Sequence, residues 1–217
     1  MKIQIISLFP EVFKEYLQVG MMRKAVEAGK VEFILTNLRD YGLGPRQTVD
    51  DTPYGGGDGM LLKPEPIVAA IETAKLDLPN SKVILMTPRG ETFRQSDATG
   101  LADEGKDLIF VCARYEGYDE RITAWVDEQL SIGNYVLTGG ELPTLVVIDA
   151  LVRLIPGVLG GDQSIEVESY SDDKTREHPQ YTRPEEFRGV KVPDVLLSGN
   201  HALIDQWRRD NQINADE

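Results

Sequence analysis

Short unbroken apolar runs alternate along this chain with stretches whose apolar residues recur at helical spacing. The first run, Lys2 to Phe9 (KIQIISLF), is closed by Pro10 and reads as a buried strand. Pro10 suits the first position of a helix, and Val12, Phe13, Tyr16, Leu17, Met21 and Ala25 continue one face, weakened in its middle by Gly20. Val31 to Leu35 (VEFIL) predicts a second strand, so the opening reads as a parallel βαβ unit. Glu65 to Ala74 is an amphipathic helix after Pro64. Lys82 to Thr87 is a strand ending at Pro88-Arg89-Gly90, Phe93 to Leu101 a helix, and Leu108 to Cys112 a buried strand. Ile132 to Leu137 predicts one more strand, running into Thr138-Gly139-Gly140. An apolar helix follows from Leu142 to Leu154, stopped by Ile155-Pro156-Gly157. The alternation predicts an α/β domain over residues 1–160.

Two stretches break the pattern. Asn37 to Gly59 has no periodicity and ends in Tyr54-Gly55-Gly56-Gly57-Asp58-Gly59. A loop of that length in a compact domain is either functional or mobile. Its glycines match neither a P-loop, since no Gly-Lys-Ser/Thr follows, nor the dinucleotide fingerprint, since Met60 takes the third glycine's place. Close backbone approach to something flat or anionic fits them, and so does a flexible hinge. Residues 161–181 are polar, acidic and aperiodic, as in a linker or lid. Residues 182–217 hold a short apolar region, Val192 to Leu197, then a helix capped by Ser198-Gly199-Asn200 and running through Trp207. That segment is too small to bury a core alone.

At 217 residues, 41% hydrophobic and 27% charged, the chain fits one globular domain with a small appendage. No apolar run approaches the ~20 residues of a membrane span, and the start lacks a cleavable signal, so a cytoplasmic protein with no membrane partner is expected. A single cysteine, Cys112, excludes an internal disulfide, and with two histidines a Cys/His metal cage is not expected. Cys112 itself reads as a small core residue. The net charge of −13 argues against diffuse nucleic-acid binding, though a local basic patch remains compatible with one RNA in one pose.

The densest chemistry lies between Arg114 and Gly160. Arg114, Glu116, Asp119, Glu120 and Arg121 surround Tyr115 and Tyr118. The turns at Thr87-Pro88-Arg89-Gly90, Cys112-Ala113-Arg114 and Leu137-Thr138-Gly139-Gly140 could converge on one ligand at the carboxyl ends of neighbouring strands. Tight turns with nothing bound fit the same spacing. No acidic-x-Gly-x-Gly follows the first strand, which disfavours a Rossmann-type methyltransferase.

With those segments in view, the chain resembles the bacterial tRNA (guanine-N1)-methyltransferases of the SPOUT, or deep trefoil knot, superfamily. The resemblance rests on ISLFPEVF, TVDDTPYGGGDGM, RYEGYDER, SIGNYVLTGGELP, RLIPGVLG, HPQYTRPEEF and VPDVLLSGNHA, and runs over nearly the whole chain. It implies a SPOUT-type parallel sheet with a deep trefoil knot in residues 1–160, followed by a short, mainly helical tRNA-binding segment. It also implies S-adenosylmethionine as cofactor, Mg2+ as a possible helper, and tRNA as partner. A homodimer with its active site at the subunit interface is expected. The reaction that the resemblance implies is methylation of N1 of the guanosine just 3′ of the anticodon. Two alternatives stay open: a SPOUT enzyme with another RNA target, and a cofactor- or RNA-binding paralogue with weak catalysis.

The resemblance also assigns residues. Thr87, Pro88, Gly90, Ala113 and Glu116 are expected against the cofactor. So is the stretch Ile132, Gly133, Asn134, Tyr135, Val136 and Leu137, with Gly139 and Gly140; its backbone meets the adenine and its apolar side chains form a bed. RNA contacts fall to Arg46, Asp50, Tyr54, Gly55 and Gly56, and to Ser169, Arg183 and His201. Guanine N1 carries a proton and is a poor nucleophile until a base removes it, while charge gathers on O6. Glu168, standing where the family has Asp, is the expected base, and Arg153 the cation facing O6. Glu116 lies near the methionine moiety and, with Glu168, is a possible metal ligand; an ion pair with Arg114 or Arg121 is the plainer role for Glu116.

Overall fold

In the computed structural model, which describes residues 1–158, 169–170 and 174–214, the alternating runs become a parallel sheet with helices on both faces. The chain divides into two units, Met1–Gly160 and Gly161–Glu217. In the first, β1 (Lys2–Ser7) leads through α1 (Glu11–Leu17) and α2 (Gly20–Glu27) to β2 (Glu32–Asn37), which pairs with β1 in parallel. The expected single helix is therefore two, parted at Gln18 and Val19 and resumed at Gly20, whose φ of +55° no helical residue holds. The long loop carries two residues of strand, β3 (Asp50–Asp51), paired antiparallel to β4 (Leu61–Leu62). Then come α3 (Pro64–Asp77), β5 (Lys82–Thr92), α4 (Gln95–Glu104), β6 (Leu108–Cys112), β7 (Glu128–Ser131) and α5 (Glu141–Val152). The sheet order is β2-β1-β6-β5-β7, all parallel.

Period-two alternation sorts each central strand's side chains onto two cores. Ile3 and Ile5 of β1, Ile84 and Met86 of β5 and Phe110 of β6 face α1, α2, α4 and α5, where Phe13, Leu17, Met22, Leu101, Val147 and Leu151 cover them. Val83, Leu85, Ile109 and Val111 face the other way and meet Ile67, Ala70, Ile71 and Ala74 of α3. A strand buried on both faces has no polar side to show, hence the unbroken apolar runs.

Two strand boundaries differ from the sequence reading. β5 does not stop at Pro88-Arg89-Gly90 but continues to Thr92, with its register on β7 shifting between Met86 and Glu91. A Cβ on Gly90 would stand 2.5 Å from the backbone of Gln129 and Leu130, so the bulge closes against β7 only without a side chain. Ile132 to Leu137 is not a strand; the strand is the preceding Glu128–Ser131. Gly133, at φ +144°, turns the chain out of the sheet, and Tyr135 and Val136 are 55% and 85% exposed, so their apolar character serves no core.

In the second unit, β8 (Thr175–Arg176) pairs with β11 (Ile213–Asn214), and β9 (Glu186–Phe187) with β10 (Val190–Lys191). Between them lie α6 (Asp194–Leu197) and α7 (His201–Asp210), the latter capped by Asn200, whose side-chain oxygen accepts from Leu203 N–H at 3.4 Å. His178 and Tyr181 gather around Trp207, with ring centroids 6.0 and 6.2 Å away. Residues 182–214 are thus mainly helical, as expected, with two-residue strands beside the helices.

Truncating Phe110, fully buried where β6 meets both neighbours, is expected to cost about 3–5 kcal/mol in urea-induced unfolding.

Candidate cofactor-binding site

The parallel register brings the carboxyl ends of β5, β6 and β7 side by side, where open α/β sheets hold ligands. A cavity of about 180 Å³ lies there. Its floor is Met86, Leu130 and Pro143, and its walls are the segments after the three strands. Of the residues expected at the cofactor, Thr87, Pro88, Ala113, Glu116, Ile132 and Gly133 line it, as do Tyr135, Val136, Leu137, Gly139 and Gly140. Gly90 and Asn134 do not; the role of Gly90 is the close approach to β7 described above. Among the described residues the backbone amides of Val136 and Leu137 donate to no protein group, which leaves them for a ligand.

The loop over the cavity is tied to β6. Gly140 N–H donates to Ala113 O at 2.8 Å, and Arg114 bridges Gly139 as an isolated β-pair. A Cβ on Gly140 would lie 2.7 Å from Cys112 Cα and 3.0 Å from Ala113 N, backbone that cannot yield. Cys112 sits just behind, fully buried, its Sγ 3.2 Å from Thr144 Oγ1. Burial, and then the nearby Glu141 carboxylate, push its thiol far above the usual range. Thiolate chemistry is thereby closed to it, in keeping with a core residue.

The charges around Tyr115 and Tyr118 resolve into specific pairs. Arg121 grips Asp119 at 2.7 Å, and this hydrogen bond holds the Asp119 carboxyl below its ordinary range. Arg89 reaches Glu120 at 2.7 Å. Arg114 pairs not with Glu116 but with Glu141, its Nε 2.8 Å from Oε2 in an ion contact without hydrogen-bond alignment. Among the described residues Glu116 forms no ion pair with Arg114 or Arg121. Instead its amide donates to Met60 O at 3.0 Å, and its side chain underlies Gly59, whose φ is +85° and whose missing Cβ is the space Glu116 Cγ fills. The glycine loop and the cavity wall are in contact.

Tyr118 adds a second tie that sequence reading did not single out. Its hydroxyl lies 3.3 Å from both Thr87 Oγ1 and Gln129 Oε1, joining β5 to β7 at the cavity's edge. Ser7 and Glu141 were missed as well: Ser7 Oγ donates to Glu141 Oε1 at 2.7 Å across 134 residues of sequence. A Gly-Gly-Glu sequence at a helix start signals a dipole-favoured carboxylate, but nothing local shows that it will be buried.

The remaining expected residues are dispersed. Arg153 closes α5 and is half-buried. Arg46 is exposed, Asp50 lies in β3, and Tyr54 is 99% exposed at the tip of the glycine loop with Gly55 and Gly56. In the second unit, Ser169 Oγ accepts from Glu177 N–H at 2.9 Å, His201 begins α7, and Arg183 lines a groove with Tyr181, Leu196 and Leu197. Glu168 lies outside the described residues. Among the described residues, no group of three His, Cys, Asp or Glu side chains is placed to hold a metal ion, and no helix is long and apolar enough to cross a membrane.

A parallel sheet with a glycine-walled cleft at its strand ends defines an α/β protein built to hold a small molecule there. Residues 1–216 match the family model described as tRNA (Guanine-1)-methyltransferase TrmD. A tRNA (guanine-N(1)-)-methyltransferase of Geobacter sulfurreducens is 53% identical over 214 residues, covering 98% of this chain and 86% of that one. The Syntrophotalea carbinolica protein of the same description is 52% identical, with 96% and 84% covered. The crystal structure of the tRNA (m1G37) methyltransferase from Aquifex aeolicus aligns with a TM-score of 0.80 at 38% identity, covering 95% of this chain and 87% of that one. The chain belongs to the tRNA (guanine-N1)-methyltransferase family and is an enzyme of that class.

Two outcomes are expected from this geometry. Gly140→Ala should abolish cofactor-analogue binding in calorimetry and lower the unfolding midpoint, because its methyl group meets the Cys112–Ala113 backbone. Cys112 should release no chromophore from a disulfide thiol reagent in the native protein, and one equivalent after denaturation.

Proposed function

We propose that the cavity binds S-adenosylmethionine and that the enzyme transfers its methyl group to N1 of guanosine 37 of tRNA, the position for which its Aquifex aeolicus relative is named. The observation that carries this reading is the cavity itself. An apolar bed of Ile132, Val136 and Leu137 lies beside two undonated amides, which suits a flat purine with hydrogen-bonding edges. The bound cofactor supplies an electrophilic methyl on a sulfonium, and the chain's own residues do the rest. The cavity orients that methyl, and in-line displacement takes much of its rate from such positioning. Glu168 accepts the N1 proton as the nitrogen attacks, and Arg153, at the end of α5, faces the charge that develops on O6. Glu116, the carboxylate at the wall, would be a ligand to Mg2+; one or two carboxylates plus water suffice for that ion.

The finer features of the fold and assembly follow the same reading. The trefoil knot in residues 1–160 follows from membership of the family, and the Thr138–Gly140 segment bonded to the end of β6 is where it would close. Residues 161–181 act as linker and 182–217 as the tRNA-binding segment, with Tyr54 and Arg46 on the first unit and Arg183 and His201 on the second meeting RNA. Val12 and Tyr16 of α1 and Leu142 and Val146 of α5 are 40–56% exposed and adjacent, with Tyr16 Oη donating to Asp149 at 2.6 Å. That apolar face suits a second copy of the chain, which would place the active site at a subunit interface. Such an enzyme works in the cytoplasm.

Labelled S-adenosylmethionine and tRNA transcripts bearing or lacking guanosine 37 test the reading. Label should enter only the first; label in neither, from protein that binds the cofactor, would sink the assignment. Glu168→Gln should lower turnover at least ~100-fold while leaving the affinity for S-adenosylhomocysteine within about twofold, because the removed group serves the proton and not the cofactor.

A further inference from the structure

One charged group beside the cavity has no part in the reaction just described. The Glu141 side chain is 2% exposed, at the first turn of α5. A carboxylate withdrawn from water this completely is costly unless its charge is held by partners. Its two oxygens are divided between them: Oε1 takes the Ser7 hydroxyl at 2.7 Å, and Oε2 faces Arg114 Nε at 2.8 Å.

Arg114 is where the network meets the site. It lines the cavity, and its Nη1 donates to Thr138 O at 3.2 Å. Its guanidinium lies 4.7 Å from the centre of the Phe9 ring, and its backbone pairs with Gly139. A Cβ on Gly139 would fall on Arg114 Nε and lie 2.6 Å from Glu141 Oε2, so the loop lies directly on the ion pair. Apart from Glu141, Arg114 thus spends its contacts on Phe9 and on the segment carrying Leu137 to Gly140. A plain staple between β1 and α5 would need Ser7 and Glu141 but no arginine aimed at that loop.

We propose that Glu141 is a positioning residue for the cofactor. It fixes the pose of Arg114, which fixes the Thr138 carbonyl and, through it, the neighbouring amides of Val136 and Leu137. This rests on reading the cavity as the S-adenosylmethionine site. Glu141 touches neither substrate, and its effect appears in binding and not in the chemical step. Removing the charge leaves the Arg114 side chain free to swing from the loop, and the two amides lose their fixed direction.

The test is calorimetry with S-adenosylhomocysteine on the full chain, beside steady-state kinetics. Glu141→Gln should weaken Kd roughly tenfold, the scale expected of a coupled neighbouring pair, and raise KM for S-adenosylmethionine alike, while kcat at saturation changes less than about threefold. Arg114→Met should weaken Kd at least as much, and adding Glu141→Gln to it should weaken it no further. Folded Glu141→Gln protein with wild-type Kd would overturn the proposal, as would two losses that simply multiply. Should Glu141→Gln fail to fold, Arg114→Lys carries the test. An ammonium cannot face Glu141 and Thr138 O at once, so wild-type Kd there overturns the proposal too. Wild-type protein that gives no heat with S-adenosylhomocysteine would instead remove the cavity reading, and this proposal with it.

Discussion

Everything at the cavity depends on how closely the Thr138–Gly140 segment lies on the end of β6. Gly140 N–H bonds to Ala113 O, and the space where its side chain would stand belongs to Cys112 and Ala113 backbone. That contact holds the exposed Ile132–Leu137 stretch over the strand ends instead of letting it continue β7. An apolar sequence that would otherwise add length to a strand becomes a wall of the cavity. Polar ties surround the contact: Ser7 to Glu141, Arg114 to Thr138, and Tyr118 to Thr87 and Gln129. Each joins elements far apart in sequence, so no single segment would keep the cavity's shape alone.

The opposite end of the sheet is built differently. Lys82 lies between Glu104 at 3.3 Å and Glu128 at 3.0 Å, and Lys75 reaches Asp127 at 3.7 Å. Burial alone would lower the Lys82 pKa, but the two carboxylates outweigh it and hold it above the ordinary value. These pairs fasten the amino ends of β5 and β7, the strands whose carboxyl ends border the cavity.

Much of this was legible in the chain. The buried runs at Lys2–Phe9 and Leu108–Cys112 named two central strands, because a parallel strand covered on both faces leaves no polar position to confuse the pattern. Most of the residues that line the cavity followed from glycines and small residues after such runs. The errors have the same physical origin. Ile132–Leu137 is apolar but lies along the cavity, with only Ile132 packed on the core, and local pattern cannot tell a cavity wall from a sheet strand. Pro88-Arg89-Gly90 looked like a strand end, but a bulge against β7 absorbs it. Arg114 or Arg121 looked a plausible mate for Glu116. The partner of Arg114 is instead Glu141, on a helix that only the tertiary fold brings near, and that of Arg121 is Asp119.

The meeting of Gly59 with Glu116 has a mechanical consequence. The Met60 carbonyl is held by the Glu116 amide, and the glycine rests on that residue's aliphatic stem. The fully exposed Tyr54 at the loop's tip is therefore the free end of a lever whose fulcrum is part of the cavity. Displacing that ring would therefore load the cavity wall, because the root of the loop and the wall share the Met60–Glu116 bond.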